Sequence, residues 1–234
     1  MKVLLPLFFI LIACSALPAQ DSTLVTIKAG NKVMDVLTPV DIYYYPQFNN
    51  GKVFFKDGAK GGAKLNYTRL FDQMLFIDAR GDTLALANEK LIKFIVIDRD
   101  TFYYEGGYIR LIADDGVVKL AEKQVWVLAD IQKIGTHNKP ATTFAVTSFS
   151  TYTNGLDAAK SKDLILNEDI VLRKETLYYF GNEYGEFVPA NKKKLLQLFP
   201  KEQLVIENYL KENNVNFNKK EDVEKLSQFL SLHN

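Results

Sequence analysis

The sequence predicts a mainly β protein, an antiparallel sandwich or barrel-like sheet of hairpins, closed off by a C-terminal pair or trio of short α-helices. Three observations carry this. Between residues 40 and 188, short β-branched and aromatic segments alternate with Gly, Asn and Asp at roughly 8–12 residue intervals, the spacing of antiparallel hairpins. At Pro189 the pattern changes to apolar residues at helical spacing. The chain is 47% hydrophobic, with 16 Phe and 12 Tyr, which is ample for a packed core and inconsistent with disorder.

Taken in order, the chain starts with a leader-like segment. Met1-Lys2 gives one positive charge, and Val3 to Ala13 is an apolar run broken only by Pro6. Such a run suits an export signal and is too short to cross about 30 Å of hydrocarbon as a helix. Residues 1–19 are therefore read as a signal peptide, 20–188 as a β-rich domain and 189–234 as a helical appendage. Two processing routes are open: cleavage after Ala19, or lipidation at Cys14, since Leu11-Ile12-Ala13-Cys14 resembles a lipobox. Cys14 is the one cysteine of the chain, so the processed body has no disulfide to stabilise it. Loss of the leader removes Lys2 alone among the charges and leaves 28 basic and 28 acidic residues. That balance gives no reason to expect a nucleic-acid partner. No second apolar stretch is long enough for a transmembrane helix, so none is expected after signal cleavage.

The strands are expected at Val40–Tyr45, stopped by Pro46, then Gly51–Lys56 running into the Asp57-Gly58 turn, and Ala63–Tyr67. Gln73–Asp78 and Asp82–Ala87 flank a hairpin loop at Ala79-Arg80-Gly81, and Leu91–Ile97 is apolar enough for a strand covered on both faces. Thr101–Tyr104, Tyr108–Ala113, Val117–Leu120, Val125–Ile134, Thr142–Tyr152, Leu164–Leu172 and Thr176–Phe180 complete the set. Three segments, beginning at Val53, Thr101 and Thr176, echo one another as aromatic strands entering a glycine turn, but they define no fixed period. In the tail, Asn191 is expected to cap a helix at Lys192–Leu198, and Pro200 to stand in the first turn of a helix running to Asn213. Asn218 with Glu221 resembles a capping box opening Lys219–Leu232. Each helix has one apolar stripe and should dock on its neighbours or on the sheet.

No catalytic constellation emerges: catalytic, cofactor-binding and metal residues are all read as none. The two histidines, His137 in a loop and His233 next to the C-terminus, are isolated, which leaves zinc ligation and His-based nucleophilic catalysis without a set of partners. Asp98, Asp100, Asp114 and Asp115 are numerous enough for acid–base or Ca²⁺ chemistry but fall where hairpin turns are expected. Arg80-Gly81-Asp82 spells an adhesion tripeptide at a loop tip, and Asn66-Tyr67-Thr68 is a glycosylation sequon. Lys192-Lys193-Lys194 reads as a solvated helix face, and Gly58, Gly61 and Gly62 do not open a helix in a phosphate-binding pattern. The surplus feature is aromatic: Tyr43-Tyr44-Tyr45, Phe102-Tyr103-Tyr104 and Tyr178-Tyr179-Phe180 put rings on both faces of a strand, and any face left uncovered is a platform for sugars, peptides or apolar partners.

The leader ending in Ala19-Gln20, the segment Lys193–Pro200, the segment Glu207–Asn213 and the segment Glu221–Leu226 together resemble uncharacterised exported proteins of Bacteroidota, periplasmic or lipid-anchored. The resemblance is strongest over the tail. It implies source and compartment (periplasm, outer membrane or secretion) and assigns no activity. In that setting Asp21-Ser22-Thr23 and Asp82-Thr83-Leu84 match a short O-glycosylation signal, with Ser22 and Thr83 as acceptors. The expectation is a non-enzymatic cell-envelope protein without cofactor, a binding or scaffold module for an envelope protein or glycan. The alternatives are a carboxylate-dependent glycan hydrolase and a structural protein that self-associates through its tail.

Overall fold

Residues 24–132 and 147–233 are described in the computed structural model, and among them eleven strands pair, every neighbour antiparallel, into one sheet. In chain order the elements are β1 (Leu24–Ile27), the helical turns α1 (Val33–Val36) and α2 (Pro39–Ile42), β2 (Asn49–Phe55), β3 (Lys60–Thr68), β4 (Gln73–Ile77) and β5 (Thr83–Ala85). Next come β6 (Ile92–Ile97), β7 (Asp100–Tyr104), β8 (Tyr108–Asp114), β9 (Val118–Gln132), the turn α3 (Phe149–Tyr152), β10 (Asp169–Asn182) and β11 (Phe187–Pro189). Helices α4 (Lys192–Leu198), α5 (Gln203–Glu212) and α6 (Lys220–Ser231) end the chain. The protein is mainly β with short C-terminal helices, as the sequence indicates. The sheet is continuous and unclosed, in the order β1-β10-β9-β8-β7-β6-β2-β3-β4-β5. It consists of two meanders, β2 to β5 and β6 to β10, joined where β2 pairs with β6. Strands β1 and β11 share one edge of β10, at its two ends.

Although it has free edges, the sheet curls. Tyr67 of β3 meets Phe102 of β7 at 6.0 Å and Tyr108 of β8 at 6.2 Å between ring centroids. Those strands are far apart in the ladder, so they can touch only if the inner faces are rolled toward each other. Alternation along each strand sends Val53, Leu65, Tyr67, Met74, Ile95 and Phe102 to this inner face, where they form one buried cluster. The mouth of the roll is fastened by charge. Asp72, in the β3–β4 loop, forms a 2.5 Å ion pair with Lys123 of β9 and accepts hydrogen bonds from the Tyr67 hydroxyl (2.8 Å) and the Tyr108 amide (3.2 Å). Burial pushes the Asp72 carboxyl above its ordinary value, opposed by Lys123 and by these donors. Gly107 closes against the pair at φ +136°, where a Cβ would lie 2.0 Å from Lys123 Nζ and 2.1 Å from Asp72 Oδ2.

Strands β9 and β10 form the spine, paired from Val118↔Asn182 to Gln132↔Asp169 with one irregularity at Val171/Leu172. One end, through Val118, Leu120, Tyr178 and Phe180, receives Leu195, Ile206, Val223, Leu226 and Leu230 of the three tail helices. At the other end Trp126, Ile170 and Leu172 pack with Ile27, Val33, Leu37, Ile42, Phe71 and Phe149. Asp41 fastens α2 to this end. It accepts from the Thr38 amide (3.1 Å) and hydroxyl (2.5 Å), pairs with Lys174 at 2.6 Å, and its carbonyl accepts from the Trp126 indole at 2.9 Å. Among the described residues no helix is long and apolar enough to cross a membrane.

Several elements depart from the sequence reading. Val40–Tyr45 is not a strand: Pro39 and Asp41 make a helical turn with a Thr38 capping box, and only Tyr43 forms an isolated bridge, to Thr68. The segments expected as separate strands at 117–120 and 125–134 are the single strand β9, while Thr176–Phe180 lies inside β10, which starts only at Asp169. Of Thr142–Tyr152, the described part is the turn α3, capped by Ser148. Leu91–Ile97 is covered on its inner face, with Phe94 and Val96 half-buried on the other. Asn191 caps α4 as expected, through its side chain and the Lys194 amide. Pro200 instead lies in the link before α5, and no capping box forms at Asn218: α6 is entered through Lys219 while Asp222 accepts from the Asn216 amide.

Two stability outcomes follow. Asp72→Ala strands the Lys123 ammonium in a largely buried position and should cost about 3 kcal/mol in urea denaturation, with Gly107→Ala losing about 2 kcal/mol or more through clash and backbone strain. For Asp41, burial raises the carboxyl, but Lys174 and the Thr38 donors outweigh it and hold it below its ordinary value of 3.8. Its contribution is therefore complete above the ordinary carboxylate range and disappears as pH falls through the lowered folded value. Denaturation of the protein and of Asp41→Asn across pH 2 to 7 should show a gap in stability that is constant near neutrality and closes in acid.

Candidate functional site

On the outer face of the curl, register and alternation bring aromatic rings from distant parts of the chain into one row. Phe54 of β2 stands opposite Phe94 of β6, with rings stacked at 4.5 Å and 27°. Phe94 is 6.2 Å from Tyr103 of β7, and Tyr103 is 4.8 Å from Phe187 of β11. Phe187 reaches that position by lying flat over Gly181, where any Cβ would come within 2.6 Å of its ring. Lys60 lies over the far side of Phe54 at 5.4 Å.

The row opens into a groove of about 530 Å³ between the end of β7, β6, the β10–β11 turn and α4. Tyr103 and Leu198 give it apolar walls beside the buried Phe187, and Gln197 adds an amide, while the Tyr104 ring turns to the inner face against Tyr108. Lys56, Lys93, Glu105 and Glu186 stand on its rim, all exposed. Lys93 reaches it because β6 bulges: Phe54 pairs with Phe94 and Phe55 with Ile92, leaving Lys93 as the unmatched residue. Burial raises the Tyr103 phenol further above its already alkaline ordinary value, so it is a protonated donor at neutral pH. Such a lining fits a ligand with apolar faces and hydrogen-bonding edges. Glu105 and Glu186 are open to water, and Glu186 accepts from the Asn182 amide at 2.8 Å.

A second polar cluster lies inside the curl. Arg110 bridges Asp100 (3.0 Å) and Glu122 (2.5 Å), and the Tyr45 hydroxyl donates to Asp100 at 2.6 Å. The Tyr44 ring lies between two guanidiniums, 4.9 Å from Arg69 and 5.4 Å from Arg110. Burial, then Asp100, pushes the Tyr45 phenol far up, and burial does the same to Tyr108. The space there is about 10 Å³, room for at most one water molecule, and this cluster is a closed structural network.

The structure distributes the sequence candidates. Asp98, at φ +52° in the β6–β7 turn, accepts from Asn49, while Asp100 belongs to the Arg110 network. Asp114 pairs with Lys119 at 2.8 Å, and Asp115 accepts from the Val118 amide and from Ser231. The four carboxylates thus have separate partners, and no group of three or more His, Cys, Asp or Glu able to hold a metal occurs among the described residues. His233 packs on Phe229 with Nδ1 2.8 Å from its carbonyl oxygen. Arg80 and Asp82 are engaged by Asp78 within their own turn. The sequon residue Asn66 is buried, exchanging hydrogen bonds with the Tyr45 backbone, and offers no glycosylation acceptor in the folded chain. Thr83 is half-buried in β5, Gly58 makes the β2–β3 turn, and Gly61 and Gly62 lie in β3. Cys14, Ser22 and His137 lie outside the described residues.

Of the three aromatic triplets, Tyr178-Tyr179-Phe180 is buried on both faces and Tyr43-Tyr44-Tyr45 is drawn into the inner networks. Only Phe102-Tyr103-Tyr104 contributes to the groove. Phe94, Phe187, Gln197 and Glu186 carried no local signal, because their proximity depends on the β2–β6 pairing and on the docking of α4. No protein-family model, curated protein or solved structure matches the chain.

Proposed function

We propose that this is an exported, non-catalytic binding module of the cell envelope and that its outer groove holds an oligosaccharide. The observation that carries the reading is the aromatic row ending at Tyr103 and Phe187 in an open groove with an amide and charged rim. Sugar rings present C–H faces to aromatic walls and hydroxyls to amides and charges, and the open groove suits a chain. Two further features agree with binding over chemistry or self-association. The carboxylates singled out in the sequence are dispersed over separate turns and networks. The apolar stripe of α6 is consumed in docking on β9 and β10 through Val223, Leu226 and Leu230. The export reading rests on the leader-like residues 1–19 and on Cys14.

Calorimetric titration with a panel of neutral and acidic hexasaccharides tests the groove. Binding of at least one is expected, weakened roughly tenfold or more by Tyr103→Ser, for loss of an aromatic wall. Tyr184→Ser, in the same turn but 81% exposed and away from the groove lining, should leave it unchanged. Circular dichroism checks that both variants fold. Absence of binding across the panel, or release of reducing ends from any member, overturns the proposal.

The compartment is tested by the intact mass of the protein produced in a Bacteroidota host. A chain starting at Gln20, or one carrying a diacylglyceryl group on Cys14, is expected. Recovery of the full-length chain in the cytoplasm contradicts export.

A further inference from the structure

Next to the aromatic row, the same outer face carries an excess of positive charge that the balanced chain as a whole does not suggest. In the β2–β3 pairing, Asn50 stands opposite Lys64, Lys52 opposite Gly62, and Phe54 opposite Lys60. Alternation puts all six on the outer face. Gly62 leaves that position empty, with nothing but the Gly51 carbonyl within 4 Å of where a Cβ would stand. Lys52, Lys60 and Lys64 therefore frame a shallow depression floored by backbone: Lys52 stands about 5 Å from Gly62 across the strands, and Lys60 and Lys64 stand about 7 Å from it along β3, each diagonal to Lys52. All three are exposed, and among the described residues none of them is in an ion pair. Lys56 and Lys93, on the groove rim, are likewise unpaired there.

Lys60 and Lys64 are diagonal neighbours of Lys52, about 7–8 Å away, so the like charges gain nothing from one another on folding. Protection of a sheet edge, a common reason for strand lysines, accounts for Lys60, since β4 reaches β3 only from Lys64 onward, but not for Lys52 or Lys64, which are paired on both sides. The charge is complementary to an anion, and it adjoins the Phe54–Phe94 stack that leads to the groove. We infer that the ligand is an acidic oligosaccharide, whose carboxylate or sulfate groups lie over Gly62 among Lys52, Lys60 and Lys64 while its sugar rings follow the aromatic row. This rests on the groove reading above and specifies its ligand class.

The test compares binding of an oligogalacturonate hexamer, a heparin-derived hexamer and the neutral cellohexaose, each at low and high salt. At least one acidic hexamer should bind roughly tenfold more tightly than the neutral one, with the advantage disappearing at high salt and in the Lys52→Gln/Lys60→Gln/Lys64→Gln variant. The variant changes only exposed side chains, and its urea denaturation curve confirms that it folds. Which acidic hexamer binds distinguishes uronate from sulfate recognition. Equal, salt-independent binding of acidic and neutral hexamers overturns the acidic assignment and leaves the groove reading standing. Binding of an oligothymidylate as tight as that of the acidic hexamers also overturns it, since the lysines would then select charge alone. No binding to any saccharide removes both.

Discussion

The Asp72–Lys123 ion pair fastens the mouth of the curl, over an inner face already packed with apolar side chains. A sheet that closes on itself holds its curvature through a continuous hydrogen-bond ladder, but this one ends in β5 and β1 and has no such closure. What keeps β3 and β4 facing β7 and β8 is side-chain contact, and at the mouth of the roll that contact is a carboxylate bound by an ammonium, a phenol and an amide at once. Placing a charge there is expensive unless all its partners are present, so the pair tolerates little variation in geometry. Gly107 is a direct consequence: the turn after β7 must pass so close to the two charged groups that no side chain fits.

The same logic runs along the spine. A hydrophobic interior strand would be stable without partners, yet the middles of β9 and β10 carry Glu122, Lys123, Arg173, Lys174 and Glu175. Three are answered from elsewhere, Glu122 by Arg110, Lys123 by Asp72 and Lys174 by Asp41, while Arg173 and Glu175 pair with each other within β10. Apolar packing then occupies the two ends, α1 to α3 on one and α4 to α6 on the other. A greasy strand of this length could slip by two residues without exposing a hydrophobic side chain. Charges with fixed partners forbid that slip, and so set the register on which the meander is built.

That arrangement also explains what could be read from the sequence and what could not. The strands of the first meander were legible because their partners are near in the chain and their turns carry Asp57-Gly58 or Gly81. β9 and β10 each look like two strands in the sequence because charged residues in mid-strand resemble loops; only the tertiary partners make them interior. Val40–Tyr45 has the residue types of a strand, but Thr38-Pro39 with Asp41 at the capping position is the stronger local signal and makes a helical turn. The groove was half legible. Tyr103 and Tyr104 stood out within an aromatic triplet, but Phe94 and Phe187 owe their place to pairings between segments some forty to eighty residues away.

The two faces of the sheet follow different electrostatic rules. On the inner side, Asp100, Asp72, Glu122 and Arg110 meet charged partners at hydrogen-bond distance, as groups removed from water must. On the outer side of β2 and β3, lysines stand diagonal to one another with no ion pair among the described residues, beside half-buried rings. Folding alone rewards the first arrangement and gains nothing from the second. Because the chain is nearly neutral, the positive excess on this face is one of distribution: acidic residues are drawn into the interior and into turns, where they accept from amides and ammoniums, and the lysines they would otherwise neutralise are left outward. The packing that makes the fold thereby also generates a cationic, aromatic outer surface leading into the groove.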